Sequence, residues 1–117
     1  MSITRIKPGP RMSKAVVHGS VVYLAGQVTE APDANTTVTA QTQNILAQID
    51  ALLAEAGTDK SRLITTNIWL SDMSTFAEMN AVWDTWVVPG ATPARATVEA
   101  KLATPAYKVE IMVTAAL

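Results

Sequence analysis

Between Lys14 and Ala25 the apolar residues form two short β-branched runs, Ala15-Val16-Val17 and Val21-Val22-Tyr23-Leu24, separated by His18-Gly19-Ser20. Two such runs around a glycine-bearing turn predict a β-hairpin whose second strand closes at Gly26-Gln27. His18 then sits at the turn, where one imidazole without a second ligand or nucleophile predicts a solvated residue. Glu30 to Thr37, with a proline, an aspartate and an asparagine, predicts a loop. Beyond it the period changes. From Thr39 to Ala56 the apolar residues Ile45, Ile49, Leu52, Leu53 and Ala56 recur at helical spacing, and Gly57 is placed as a C-terminal cap. Gln43, Asn44, Asp50 and Glu55 make the opposite, solvated face.

Arg62 to Ser71 is β-branched and apolar and predicts a strand, which runs into a turn at Asp72-Met73-Ser74. Thr75-Phe76-Ala77-Glu78 fits a capping box for a second helix reaching about Val87, ended by Pro89-Gly90. Its stripe of Phe76, Met79, Trp83, Trp86 and Val87 also holds Asn80, an amide that needs partners if it is buried. Loop backbone would make Asn80 a structural anchor; a bound molecule would make it a site residue. Two strands, Ala94 to Leu102 and Ala106 to Ala115, complete the pattern, the second with Val109, Ile111, Val113 and Ala115 on one face and Glu110, Met112 and Thr114 on the other. Two strand–helix–strand units and a closing strand predict one α+β domain over residues 1–117, with no linker and no solenoid repeat.

Composition adds two constraints. Apolar residues are 49% and charged residues 16% of 117, sparse for a small monomer that must cover itself with solvated groups, so part of the surface is expected to meet another subunit. The net charge of −1, with scattered basic residues, gives no electrostatic footprint for nucleic acid. No apolar run has signal-peptide or membrane-spanning length, and there are no cysteines, which together predict a cytoplasmic protein.

The cysteine count also removes thiolate nucleophiles and thiolate zinc sites, no glycine-rich phosphate loop occurs, and a serine triad would have to use His18. Neither a metal nor a cofactor is expected. Arg95 and Glu110 remain, each set in an apolar β-run. A guanidinium cannot lose its proton in practice, so its burial calls for an anion, and its planar fork suits a carboxylate. Glu110, Glu99 and a ligand are all open as that anion.

The VVYLAGQV strand with its Gly26-Gln27 end, Phe76-x-x-x-Asn80, Pro93-Ala94-Arg95 with Val98-Glu99, and the closing Lys108-Val109-Glu110-Ile111 together resemble the reactive intermediate deaminase (RidA/YjgF) family over essentially the whole chain. The resemblance implies a chorismate-mutase-like fold, a mixed sheet with two helices on one face, assembled as a homotrimer with ligand clefts between subunits. It implies that Arg95 holds the carboxylate of a 2-imino or 2-amino acid, that Glu110 positions the hydrolytic water, and that Thr97, Gly26, Asn80 and Met12 line the substrate. The chain departs from the family's deaminating members where an isoleucine-glycine-proline-tyrosine run is usual: here Pro10-Arg11-Met12-Ser13 stands. Trp83 replaces a more common tyrosine, a pattern similar to a divergent subgroup. The implied activity is hydrolysis of reactive enamines or imines such as 2-aminoacrylate to 2-keto acids and ammonia. The alternative is a non-catalytic trimeric module that binds keto acids or related small carboxylates. Ribonuclease activity, implied by some relatives, is disfavoured by the near-neutral charge.

Overall fold

In the computed structural model, which describes residues 2–117, the chain runs β1 (Ile3–Pro8), β2 (Ser13–His18), β3 (Val21–Leu24), α1 (Val38–Ala56), β4 (Leu63–Leu70), α2 (Phe76–Trp86), β5 (Ala94–Glu99) and β6 (Val109–Ala116). The strands make one six-stranded mixed sheet in the order β1-β2-β3-β6-β4-β5. Only β4 and β5 are parallel, joined through α2; every other pairing is antiparallel. β6, the last strand in the chain, slots between β3 and β4, so the gap spanned by the α1 crossover is filled by the C-terminal strand.

Both helices lie on one face, and the alternation of the strands settles which. Val22 and Leu24 of β3, Ile68 and Leu70 of β4, and Val109, Ile111, Val113 and Ala115 of β6 are buried against Ile45, Leu46, Ile49, Leu52 and Leu53 of α1 and Met79 and Trp83 of α2. Each such side chain contributes roughly 1.5–3 kcal/mol of transfer free energy when fully buried. The molecule spans 42 × 38 × 20 Å, and its short dimension matches one sheet and one helix layer. The other sheet face is therefore uncovered within the chain, and Tyr23 and Val98 stand on it at 47% and 49% exposure.

The hairpin, both helices and the β4 and β6 strands follow the hydrophobic pattern. Gly57 caps α1 in the left-handed region at φ 90°, and Thr37 caps its start by accepting from the Ala40 amide. One strand is not marked by the hydrophobic pattern, and three expectations are corrected. β1 is an edge strand and can end in Pro8, which has no amide hydrogen to lose. β5 is not buried: it is the opposite edge strand, and it stops at Glu99. The strand expected from Ala106 begins instead at Val109, because Gln41 of α1 takes the Ala106 carbonyl (2.9 Å) and the Lys108 amide (2.9 Å) that a ladder would have used. Finally, the capping box does not form. The Thr75 hydroxyl donates to the Asp72 carbonyl (2.7 Å), while Glu78 accepts from the amide and hydroxyl of Thr39 (2.9 Å each), tying α2 to the start of α1.

Candidate functional site

The register of β4 with β5 decides where Arg95 goes. Arg95 lies beside Thr66 and Thr97 beside Ile68, both partners buried beneath the helices, so Arg95 and Thr97 point to the helix-covered face. Because β5 is the edge strand, Arg95 is only half-buried there, beneath α2. Its Nη1 donates to Asn80 Oδ1 at 2.8 Å. Its Cζ lies 5.8 Å from the Phe76 ring centre and 5.4 Å from that of Trp83. Asn80, Trp83, Asp84, Thr92, Pro93 and Arg95 line a cavity of about 320 Å³ at this edge.

Neither Glu99 nor Glu110 pairs with Arg95. Glu99 accepts from the Met73 amide at 2.9 Å, holding the turn before α2. Glu110 pairs in register with Trp69 and alternates with buried Val109 and Ile111, which puts it on the uncovered face of the sheet. Among the described residues the hydrogen-bond partner of Arg95 is a neutral amide. The fork of the guanidinium, with five N–H donors, is thus not consumed by the fold.

Glu110 has a different setting. Gln27 bridges to Ile111 through two backbone hydrogen bonds (2.8 and 3.0 Å), which brings Gly26 against Glu110. A Cβ at position 26 would overlap the Glu110 carboxylate, so glycine here lets Glu110 keep its present position, and any larger residue would push that carboxylate aside. Across the sheet, Trp69 lies beside Glu110 and Val98 beside Trp69, an apolar row next to the carboxylate.

The residues singled out from sequence therefore divide into two groups on opposite faces of one chain. Arg95, Asn80 and Thr97 belong to the helix-covered edge; Glu110 and Gly26 belong to the uncovered face. Met12 is in the turn between β1 and β2, 49% exposed, with its carbonyl accepting from the Gly9 amide. Asn80 as an anchor of loop backbone is corrected: its carbonyl oxygen faces the guanidinium. The Thr97 hydroxyl is buried and has no hydrogen-bond partner among the described residues. Phe76 and Trp83 were legible as a core stripe and as part of the family pattern, but not as partners of Arg95. Asp84 and Thr92 carried none.

No group of three His, Cys, Asp or Glu among the described residues is placed to hold a metal ion. No helix among them is long and apolar enough to cross a membrane.

Comparison with known proteins agrees with the fold. Residues 2–117 match the family model described as Endoribonuclease L-PSP. The chain is 46% identical to the RutC family protein YoaB of Escherichia coli over 117 residues, covering 100% of both chains. Among solved structures, it is similar to a YjgF family member from Neisseria meningitidis, with a TM-score of 0.95 and 47% identity over 99% of this chain and 95% of that one. A member of the YjgF/YER057c/UK114 family from Mycobacterium tuberculosis matches with a TM-score of 0.86 and 27% identity, covering 99% and 100%.

Proposed function

The chain belongs to the YjgF/RutC family, and from that premise we propose that it hydrolyses reactive 2-imino acids, and enamines such as 2-aminoacrylate once tautomerised, to 2-keto acids and ammonia. The observation that carries the reading is Arg95, a half-buried guanidinium whose fork is left to an external anion while Glu99 is engaged elsewhere and Glu110 lies across the sheet. A planar carboxylate fits that fork through two parallel hydrogen bonds.

Glu110 accepts a proton from water as its oxygen attacks the imine carbon. The C–N π bond opens onto nitrogen, and Glu110 passes the water proton to it, giving the carbinolamine. Glu110 then takes the carbinolamine hydroxyl proton and delivers it to the nitrogen as the oxygen forms the new carbonyl, the C–N bond breaks, and ammonia leaves. The substrates already hydrolyse in water, so orientation by Arg95 and one proton relay are sufficient chemistry.

Arg95 and Glu110 face opposite ways in one chain, so the reading requires a second copy to bring them to one substrate. We infer a homotrimer, in which the uncovered sheet faces bury Tyr23, Trp69 and Val98 between subunits and the substrate lies at a subunit boundary. The low charge content fits this assembly.

The test feeds an imino acid, produced in place by an amino-acid oxidase, to the purified protein and follows its lifetime by trapping. The wild type is expected to shorten the lifetime, Arg95→Ala to remain a folded trimer without effect, and Glu110→Gln to bind 2-oxobutyrate without turnover. Full activity in Arg95→Ala overturns the reading. Saturable 2-oxobutyrate binding with no turnover by the wild type moves it to a binding module.

A further inference from the structure

The Arg95 guanidinium is compensated by aromatic faces instead of a carboxylate, and we propose that Phe76 and Trp83 are positioning residues that hold its charge while leaving its donor edge free for the substrate carboxylate. The inference deepens the function proposed above and rests on it.

Phe76, Asn80 and Trp83 occupy one stripe of α2, four and then three residues apart. Seven residues of helix rise about 10.5 Å. With Cζ 5.8 Å from one ring centre and 5.4 Å from the other, the charge sits between the two rings, opposite Asn80. Trp83 is itself braced: Trp86 packs on it with ring centres 5.3 Å apart, and Trp86 Nε1 donates to Asp50 of α1 at 3.0 Å. The rear wall of the cage is thereby tied to the other helix.

The chemical logic lies in which part of the guanidinium each partner uses. A carboxylate neutralises it by occupying the N–H fork that a substrate needs. An aromatic ring attracts the same charge through its quadrupole and consumes no donor. Asn80 takes one N–H of the five and fixes the rotation of the plane. The cation is thus held in place and remains able to form two parallel bonds to an incoming carboxylate. Phe76 supports a role beyond packing, since an aromatic side chain left 40% exposed adds little to the core, whereas Trp83 is 5% exposed and serves both.

The experiment titrates 2-oxobutyrate into the wild type and into Phe76→Leu, Phe76→Tyr, Trp83→Leu and Arg95→Ala, and measures KM and kcat for imine hydrolysis in the same set. Phe76→Leu is expected to keep the wild-type melting temperature and to raise Kd and KM about five- to tenfold, with kcat changed less. Phe76→Tyr should restore wild-type binding, because the tyrosine ring keeps the face the cation uses. Trp83→Leu is expected to lose more binding; if it fails to fold, the exposed Phe76 pair decides. Wild-type Kd and KM in Phe76→Leu, with binding abolished in Arg95→Ala, overturns the cage and leaves the carboxylate site standing. Wild-type Kd in Arg95→Ala, or no 2-oxobutyrate binding by the wild type, overturns both.

Discussion

α1 and α2 lie side by side on the same sheet face, and each carries a carboxamide near its apolar stripe. Gln41 in α1 is fully buried and bonded at both ends to backbone: its Nε2 donates to Ala106 O at 2.9 Å, and its Oε1 accepts from Lys108 N at 2.9 Å. Asn80 in α2 is half-buried and bonded to the Arg95 side chain. One amide replaces missing ladder bonds where β6 has not yet begun; the other orients a cation. Their helices differ in the same sense. The 19 residues of α1 include eight buried ones, whereas α2 buries only Met79 and Trp83 of its 11, so the α2 stripe retains surface for binding. An amide in an apolar stripe thus has two meanings, and depth beneath the neighbouring elements separates them.

The comparison breaks most visibly at Gln41. Gln41→Ala would leave the Ala106 carbonyl and the Lys108 amide without partners in a buried setting. A loss of about 3 kcal/mol is expected from two such groups, measured by urea unfolding. An unchanged midpoint would remove the distinction between the two amides.

Asn80→Ala sharpens it from the other side. Arg95 can reach water, so stability should fall by about 1 kcal/mol or less, while 2-oxobutyrate binding weakens about fivefold as the guanidinium plane loses its stop. A large drop in stability with intact binding would return Asn80 to the role Gln41 holds.

The smallest effect concerns the turns that lead into β4 and α2. Asp59 and Asp72 each accept from the backbone amide two residues on, at Ser61 (2.8 Å) and Ser74 (2.9 Å). Hydrogen bonds from those serines hold both carboxyls below the ordinary aspartate range. A depressed folded-state value means the stabilisation is present above the unfolded-state value and is lost as pH falls through the folded one. Asp72→Ala should therefore be slightly less stable than the wild type at neutral pH, with the gap closing as both are acidified below the aspartate range. A gap independent of pH would assign the effect to packing.

Most of the fold was legible because it rests on local periods. Alternation fixed the two faces of β6, the helical spacing of Ile45, Ile49, Leu52 and Leu53 fixed the buried side of α1, and Gly57 marked its end. β1 escaped because edge strands tolerate the proline that ends them. Thr75 and Glu78 matched a motif whose spacing is local, but Glu78 was claimed by Thr39 from another element.

The site was legible only as a set of residue types. That Arg95 needed an anion, and that Glu110 stood among apolar neighbours, followed from chemistry and pattern along the chain. Alternation along β6 already set Glu110 opposite the core face, whereas the face that Arg95 took was decided by strand pairing. β6 inserts between β3 and β4 with Glu110 beside Trp69, and the α2 crossover lays β5 against β4 with Arg95 beside Thr66. Residues 68 and 70 point one way and residue 69 the other, so pairing partners of opposite parity on β4 send the two charged groups to opposite faces. That parity is a property of long-range register. No window of sequence contains it, because it is fixed by the side chains that must be buried together when the strands meet.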